Sequence, residues 1–285
     1  MSKLRIAIQK SGRLSDDSLK LLKDCSIKFP KGKNKLIAAS TNFPAEILYL
    51  RDDDIPKYVE DGVADVGILG QNVVEEVRKD IKVEKKLGFS KCRLSLAVPK
   101  ETNYSGVEFF NGKKIATSYP VLTERYLSEH GVKADIEYIS GSVEIAPGIG
   151  LAQGICDLVS TGGTLLSNGL KEVEIILKSE AMLISNPSLA ANKRPLLNKL
   201  LFRIESTLKA KNFKYILLNA PDDKLDDIIE TLPGMRSPTV LPLASGGWSS
   251  VHSVVNENDF WNVIDQLREK GAEGILVVPI EKMVL

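Results

Sequence analysis

The sequence predicts an α/β protein of two similar lobes around a cleft, followed by a smaller β-α-β-β-α-β unit. Three observations carry that prediction. Strand and helix signals alternate through roughly the first two thirds of the chain, which implies mostly parallel sheets covered by helices. The pattern G-x-x-D-[VL]-x-x-x-G occurs twice, at Gly62–Gly70 (GVADVGILG) and at Gly154–Gly162 (GICDLVSTG). From residue 213 onward the order changes to strand, helix, strand, and then strand, helix, strand again. A chain of 285 residues accommodates two or three domains at about 100–200 residues each.

The first lobe is expected over residues 1–90 together with about 180–212. Leu4–Ile8 is a short apolar strand that runs into polar residues and Gly12. Ser15–Asp24 places Leu19, Leu21 and Leu22 behind Ser15, Asp16 and Asp17, a capped helix start. Leu36–Ala39 reads as a second strand, Asp52–Asp61 as a short acidic-led helix, and Val66–Leu69 as a third strand. The second lobe, 91–179, repeats the scheme. Arg93–Val98, Lys114–Thr117, Ile136–Ile139 and Ile155–Val159 read as strands, and Val121–His130 as a helix. In the repeated pattern a helix-capping glycine, an aspartate turn, a buried strand and a glycine-terminated loop fall at equivalent places. Ligands of open α/β sheets sit outside the carboxyl ends of strands, where both glycine loops lie.

Residues 186–212 begin as a loop and continue as a helix, with Leu196, Leu197, Leu200, Leu201, Ile204 and Leu208 at helical spacing. The last unit, 213–285, has strands at Tyr215–Asn219, Thr239–Leu243, Ser250–Val255 and Gly274–Pro279. Its helices are Asp222–Leu232 and Asp259–Lys270, the second ended by Gly271 as a C-cap glycine. This is the ferredoxin-like split unit. Small amino-acid-sensing (ACT-like) modules use the same arrangement, although topology alone does not fix function.

Charge narrows the partners. Lys+Arg (38) and Asp+Glu (37) nearly cancel, which argues against a surface that coats nucleic acid. Cys25, Cys92 and Cys156 stand singly with no C-x-x-C pair, so buried structural thiols are expected rather than a metal or redox site. The N-terminus lacks the apolar run of a signal peptide, and no stretch reaches the ~18 apolar residues of a membrane span. The expected location is the cytoplasm.

The segment GICDLVSTGGTLL, Gly154–Leu166, holds the chemistry. A buried strand runs into Ser160, Thr161, Gly162, Gly163 and Thr164. Small residues after a strand expose backbone N–H groups, and hydroxyls add donors, so the loop can wrap a phosphate. No G-K-[ST] follows the glycines, so it is not a Walker loop. A ligand-free glycine turn is the alternative.

The longer window Glu144–Leu165 resembles, position by position, the signature of the ATP phosphoribosyltransferase family. The acidic start, the glycine, the Asp157-Leu158 pair and the T-G-x-T-L end all match. QKSGRLSDDS, RDDDIP, GVADVGILG, KKIATSYP and VVPIEKM resemble the long form of that family across essentially the whole chain. The resemblance implies two periplasmic-binding-protein-like lobes, a C-terminal regulatory domain, and transfer of phosphoribosyl from phosphoribosyl pyrophosphate to N1 of ATP. It implies a Mg²⁺ held largely by phosphates and water, L-histidine as feedback inhibitor, and a homo-oligomer that passes from dimer to hexamer.

By the same resemblance, Ser160, Thr161, Gly162, Gly163 and Thr164 anchor the 5′-phosphate, while Glu144 and Asp157 receive the ribose hydroxyls. A turn-capping aspartate and an exposed helix-start glutamate are the alternatives for those two, and Asp65 in the repeat lends weight to the alternative for Asp157. Lys10, Gly12, Arg13, Arg51 and Gly70 are implied ATP and polyphosphate contacts, Lys10 and Arg13 being catalytic. Gln71 and Asn72 could line the nucleotide pocket, and Tyr119 either stacks on adenine or packs. Asp52, Asp53 and Asp54 suit a helix N-terminus better than a metal cage. His130 and His252 lie outside every matched loop, so no general base stands out; His130 reads as a charge partner at a helix C-terminus. Asp222, Ala244 and Ser245 are the implied effector contacts. Two other readings remain: a two-lobed small-anion receptor without turnover, which the repeat fits equally well, and a phosphoribosyltransferase with another acceptor.

Overall fold

The computed structural model describes residues 2–30, 36–232 and 237–284. By contacts the chain divides into two compact units, 1–20 with 27–197 and 21–26 with 198–285. The larger unit contains both lobes.

Lobe I begins with β1 (Leu4–Gln9), α1 (Arg13–Asp24), β2 (Ile37–Ala39), β3 (Ala45–Leu50), α2 (Ile55–Glu60), β4 (Val66–Gly70), α3 (Gln71–Val77) and β5 (Lys82–Lys86). The chain then crosses to lobe II: β6 (Cys92–Pro99), β7 (Lys114–Thr117), α4 (Pro120–Glu129), β8 (Asp135–Tyr138), β9 (Gly154–Val159), α5 (Gly163–Ser167) and β10 (Leu170–Ser179). It crosses back with β11 (Ala181–Ser185) and leaves through α6 (Arg194–Ala210).

The sheet orders are β2-β3-β1-β4-β11-β5 and β10-β6-β9-β7-β8. Both sheets are mixed, which corrects the mostly parallel expectation. In lobe I only β1–β3 and β1–β4 are parallel; in lobe II only β7–β8 and β7–β9 are. The cause is the double crossing: β11 re-enters lobe I antiparallel to β4, and β6 enters lobe II antiparallel to β9. The central strands read as continuous apolar runs because they are covered on both faces. In lobe II, Leu94, Leu96, Val98, Phe110 and Ile115 fill one side, and Ala97, Ala116, Ile155, Val159 and Leu165 the other.

Two expectations shift at the boundaries. Helix α1 starts at Arg13, so Ser15–Asp17 lie inside its first turns rather than capping it. Buried Ser15 and Ser18 face inward, and Ser18 Oγ donates to the Leu14 carbonyl at 2.6 Å. Lobe I was expected to keep residues up to 212, but the compact unit ends at Leu197 and α6 continues in the second unit.

The second unit contains β12 (Phe213–Pro221), α7 (Leu225–Thr231), β13 (Thr239–Pro242), β14 (Trp248–Asn256), α8 (Phe260–Glu269) and β15 (Glu273–Pro279). Its sheet order is β13-β14-β12-β15 with every ladder antiparallel, the ferredoxin-like topology. Ile216, Leu218, Val251 and Val255 of one sheet face pack with Ile228, Ile264 and Leu267 of the helices. Gly271 ends α8 at φ +88°, as a C-cap glycine does. Among the described residues no helix is long and apolar enough to cross a membrane.

Candidate functional site

Three parallel strands of lobe I end at one place. After β1 come Lys10, Gly12 and Arg13; after β3, Arg51 and the 3₁₀ turn Asp52–Asp54; after β4, Gly70, Gln71 and Asn72. In lobe II the ends of β7, β8 and β9 bring Tyr119, the 3₁₀ turn Val143–Ile145 with Glu144, and the loop Ser160–Thr164. The two sets of carboxyl ends face each other, the place where open α/β sheets bind ligands.

A cavity of ≈ 310 Å³ opens there, with Gly12, Arg13, Asp52, Gly70, Asn72 and Ser160 among its lining residues. Arg13 Nη1 donates to Ser160 Oγ at 3.0 Å, joining the two lobes across the cleft. Beside it, Asn72 Nδ2 donates to the Tyr119 hydroxyl at 3.0 Å, and Ser179 Oγ donates to Asn72 Oδ1 at 2.8 Å. Burial keeps the Tyr119 phenol protonated far above its usual range. Its hydroxyl is thus tied into a polar network, which favours packing over free stacking. The Glu76 carboxylate accepts the Val121 and Leu122 N–H groups at 2.8 and 3.0 Å, an anion on the first turn of α4.

The loop after β9 has the form its composition suggests. Gly162 adopts φ +83°, a conformation that a side chain strains, and it opens α5. Ser160, Thr161, Gly163 and Thr164 are all exposed, while Leu165 turns inward and anchors the loop. Backbone N–H groups of a first helical turn have no helical acceptor and are available to an anion. Gly12, at φ +94°, marks the corresponding turn after β1.

The repeated pattern is less equivalent than its letters. Gly62 does cap α2 at φ +70°, but Gly154 is not a helix cap. It lies inside β9, where an added Cβ would sit 2.6 Å from Phe110 Cε1 and 3.0 Å from the Ala97 carbonyl. Asp65 precedes β4; its carboxylate accepts the Arg5 N–H at 2.7 Å and pairs with Lys193 at 2.8 Å. Asp157 sits within β9, and the hydrogen bond to its carboxylate comes from the next residue, Leu158 N–H, at 2.7 Å. So Asp65 is a structural clasp and Asp157 keeps acceptor capacity. Burial first, and the negative charge of Glu144 second, raise the Asp157 carboxyl above the usual aspartate range, against the lowering effect of the Leu158 bond.

Not every expected residue lines the cavity itself. Lys10, Arg51, Thr161, Gly163 and Thr164 are exposed at or just beyond the strand ends, and Glu144 and Asp157 are half-buried. Asp222, Ala244 and Ser245 lie in the second unit. There Asp222 Oδ1 accepts from Ser249 Oγ at 2.7 Å and the Asp222 N–H donates to the Gly247 carbonyl at 3.0 Å, next to the turn that carries Ala244 and Ser245. Neither histidine belongs to the cleft: His130 Nδ1 bonds the Tyr126 carbonyl at its own helix end, and both ring nitrogens of His252 are engaged by Tyr215 and Ser250. Asp52–Asp54 open the turn before α2, and among the described residues no three His, Cys, Asp or Glu side chains converge as a metal cage. Sequence reasoning missed Ser90, Lys91 and Cys92, which line the cavity from the crossing between lobes; no motif marks such a segment. Cys92 is therefore half-buried at the cleft, while Cys25 and Cys156 are buried.

Comparison with known proteins bears on this geometry. The family model described as ATP phosphoribosyltransferase matches residues 51–206, and the one described as HisG, C-terminal domain, matches 210–282. An ATP phosphoribosyltransferase of Cytophaga hutchinsonii is 57% identical over 281 residues, 99% of this chain and 98% of that protein. One from Bacteroides fragilis is 55% identical over 282 residues, 99% and 100% of the two chains. Among solved structures, the ATP phosphoribosyl transferase (HisG:HisZ) complex from Thermotoga maritima aligns with TM-score 0.63 and 29% identity, covering 72% of this chain and 98% of that one. The substrate binding protein of an amino acid ABC transporter aligns with TM-score 0.50 at 10% identity, over 73% of this chain and 94% of that one, a likeness of fold alone.

Proposed function

The chain belongs to the ATP phosphoribosyltransferase family, and from that premise we propose how its cleft carries out the family's reaction. The enzyme transfers the phosphoribosyl group of phosphoribosyl pyrophosphate to N1 of ATP and releases pyrophosphate, the first step of histidine biosynthesis. The observation that carries the site assignment is the meeting of Arg13 and Ser160 across the cleft at 3.0 Å. It sets a guanidinium beside a phosphate-shaped loop.

In this reading Ser160, Thr161, Gly162, Gly163 and Thr164 grip the 5′-phosphate, and Asp157 and Glu144 accept hydrogen bonds from the ribose hydroxyls. Lys10 and Arg13 receive the charge that builds on the pyrophosphate as the C1′–O bond breaks, a contribution made chiefly in the transition state. ATP lies against Gly12, Arg13, Arg51 and Gly70. Adenine N1 attacks with its own lone pair, so alignment across the cleft supplies what a general base would supply elsewhere. A Mg²⁺ would be held mainly by phosphate oxygens and water, with Asp52 the lobe I carboxylate lining the cleft. It would supply charge neutralisation on the leaving group.

The second unit reads as a histidine sensor, through Asp222, Ala244 and Ser245. Its sheet leaves Leu241 51%, Leu276 62% and Val278 45% exposed, which supports burial against further copies of the chain in a dimer and hexamer. Consumption of ATP and phosphoribosyl pyrophosphate supports the cytoplasm as its location. A receptor without turnover finds no comparable support, since its solved likeness is one of fold alone.

The test is one assay. Protein is mixed with ATP, phosphoribosyl pyrophosphate, Mg²⁺ and pyrophosphatase, and the N1-substituted adenine is followed by its ultraviolet absorbance, with and without L-histidine. Product that histidine suppresses is expected; phosphoribosyl pyrophosphate bound but intact would overturn the reading.

Asp157 also predicts a pH effect. Its carboxylate must be ionised to accept from the ribose, and its pKa is raised. The acid limb of kcat/KM for phosphoribosyl pyrophosphate should therefore lie above the ~3.9 of an ordinary aspartate. Glu144→Gln removes a charge that raises it, so the limb should move to lower pH. A limb unmoved or moved upward would remove Asp157 from that role.

A further inference from the structure

Arg93, near the start of β6, makes an arrangement that the reaction as described does not use. Its Nε and Nη2 donate to the two oxygens of Glu172 on β10, both at 2.5 Å, and Ser95 Oγ donates to Glu172 at 2.7 Å. The remaining Nη1 donates to the Ser160 carbonyl at 3.1 Å. Bidentate pairing fixes a guanidinium in both position and plane. Glu172 is accordingly held below the usual carboxylate range, first by Arg93. Ser160 is therefore gripped twice, by Arg13 at its hydroxyl and by Arg93 at its carbonyl.

The second grip has a directional consequence. A trans peptide is planar, with C=O and the following N–H pointing opposite ways. With the Ser160 carbonyl turned to Arg93, the Thr161 N–H points away from it. Among the described residues that N–H has no acceptor. We propose that Arg93, braced by Glu172 and Ser95, is a positioning residue that sets the 160–161 peptide so that the Thr161 N–H is presented to the 5′-phosphate. This rests on the assignment of Ser160–Thr164 to that phosphate. Arg93 itself is not the phosphate ligand: three of its N–H groups are committed and its charge is neutralised by Glu172.

Glu172→Gln separates positioning from simple electrostatics. Removing a negative charge near an anion site should tighten anion binding, whereas a loosened brace should weaken it. We expect KM and calorimetric Kd for phosphoribosyl pyrophosphate to rise about tenfold, in proportion to one weakened charged hydrogen bond. KM for ATP and kcat at saturating phosphoribosyl pyrophosphate should stay within about threefold. Arg93→Lys, which cannot hold Glu172 and the carbonyl together, should behave like Glu172→Gln. Ser95→Ala, a mild change, should give a smaller rise in the same constant and keeps the test open should Glu172→Gln fail to fold. Folded Arg93→Lys and Ser95→Ala variants with unchanged or lowered KM for phosphoribosyl pyrophosphate would overturn the proposal. Thr161→Ala in the same series isolates the premise: if it leaves affinity intact, the loop assignment falls; if it weakens binding and the brace variants do not, only the brace falls.

Discussion

A chain carrying Thr161→Ala and Gly163→Val should fold normally and bind phosphoribosyl pyrophosphate at least a hundredfold more weakly, with ATP affinity nearly unchanged. The first change removes a hydroxyl donor to a charged phosphate, a bond worth about 1.5–3 kcal/mol. The second puts a branched side chain where the phosphate must approach backbone, so N–H contacts of similar worth are lost with it. Two such losses amount to about 3–6 kcal/mol, or about two to four orders of magnitude in affinity. Stability is spared for specific reasons. Thr161 is exposed, and a Cβ on Gly163 meets only Thr161 Oγ1, at 3.8 Å. Gly162 would be the wrong position for the test, since at φ +83° any side chain strains the backbone and confounds binding with folding. Calorimetry of phosphoribosyl pyrophosphate binding, beside a melting curve within a few degrees of the parent, checks the result. Unchanged affinity in a folded double variant would remove the loop from the site.

That loop was legible in the sequence because its determinants are local. A buried strand, three hydroxyls, two glycines and an inward leucine occupy consecutive positions, and each dictates its own conformation. Strand β10 was not legible for the opposite reason. LKEVEIILKS carries four charged residues among its apolar ones, and irregularities at 172/174 and 175/177 break the period of two. Pairing with β6 makes it a strand, and that partner lies far away in sequence. β11 is likewise specified by insertion between β4 and β5 after the chain returns to lobe I, which also produces the mixed sheet. Within the site, residue types were readable but meetings were not: Arg13 finds Ser160, and Arg93 finds Glu172, only through the fold. The matched aspartates show the limit of pattern. Identical letters place Asp65 under Lys193 and Asp157 within β9, because the strand starts earlier in the second copy.

Asp222→Ala should leave uninhibited turnover within about twofold and raise the histidine concentration for half-inhibition by about 10–100-fold, the worth of one charged hydrogen bond. A free amino acid offers an ammonium, and Asp222 is the carboxylate held beside the 243–249 turn by Ser249 and Gly247. Its exposure means that removing it exposes no core. Truncation before Lys214 should also abolish inhibition, but it is the cruder test. Residues 198–212 belong to the same compact unit as the terminal sheet, and Leu200, Ile204 and Ala210 are buried in the intact chain. Cutting at 214 strips partners from that apolar face, and lost activity would then report aggregation as readily as regulation. The point variant keeps every such contact. Steady-state inhibition curves at fixed ATP and phosphoribosyl pyrophosphate decide it. A variant inhibited at the parent's histidine concentration would move the effector site away from this turn. A variant that neither binds nor responds to histidine, yet turns over normally, would make Asp222 the group through which the second unit recognises the end product.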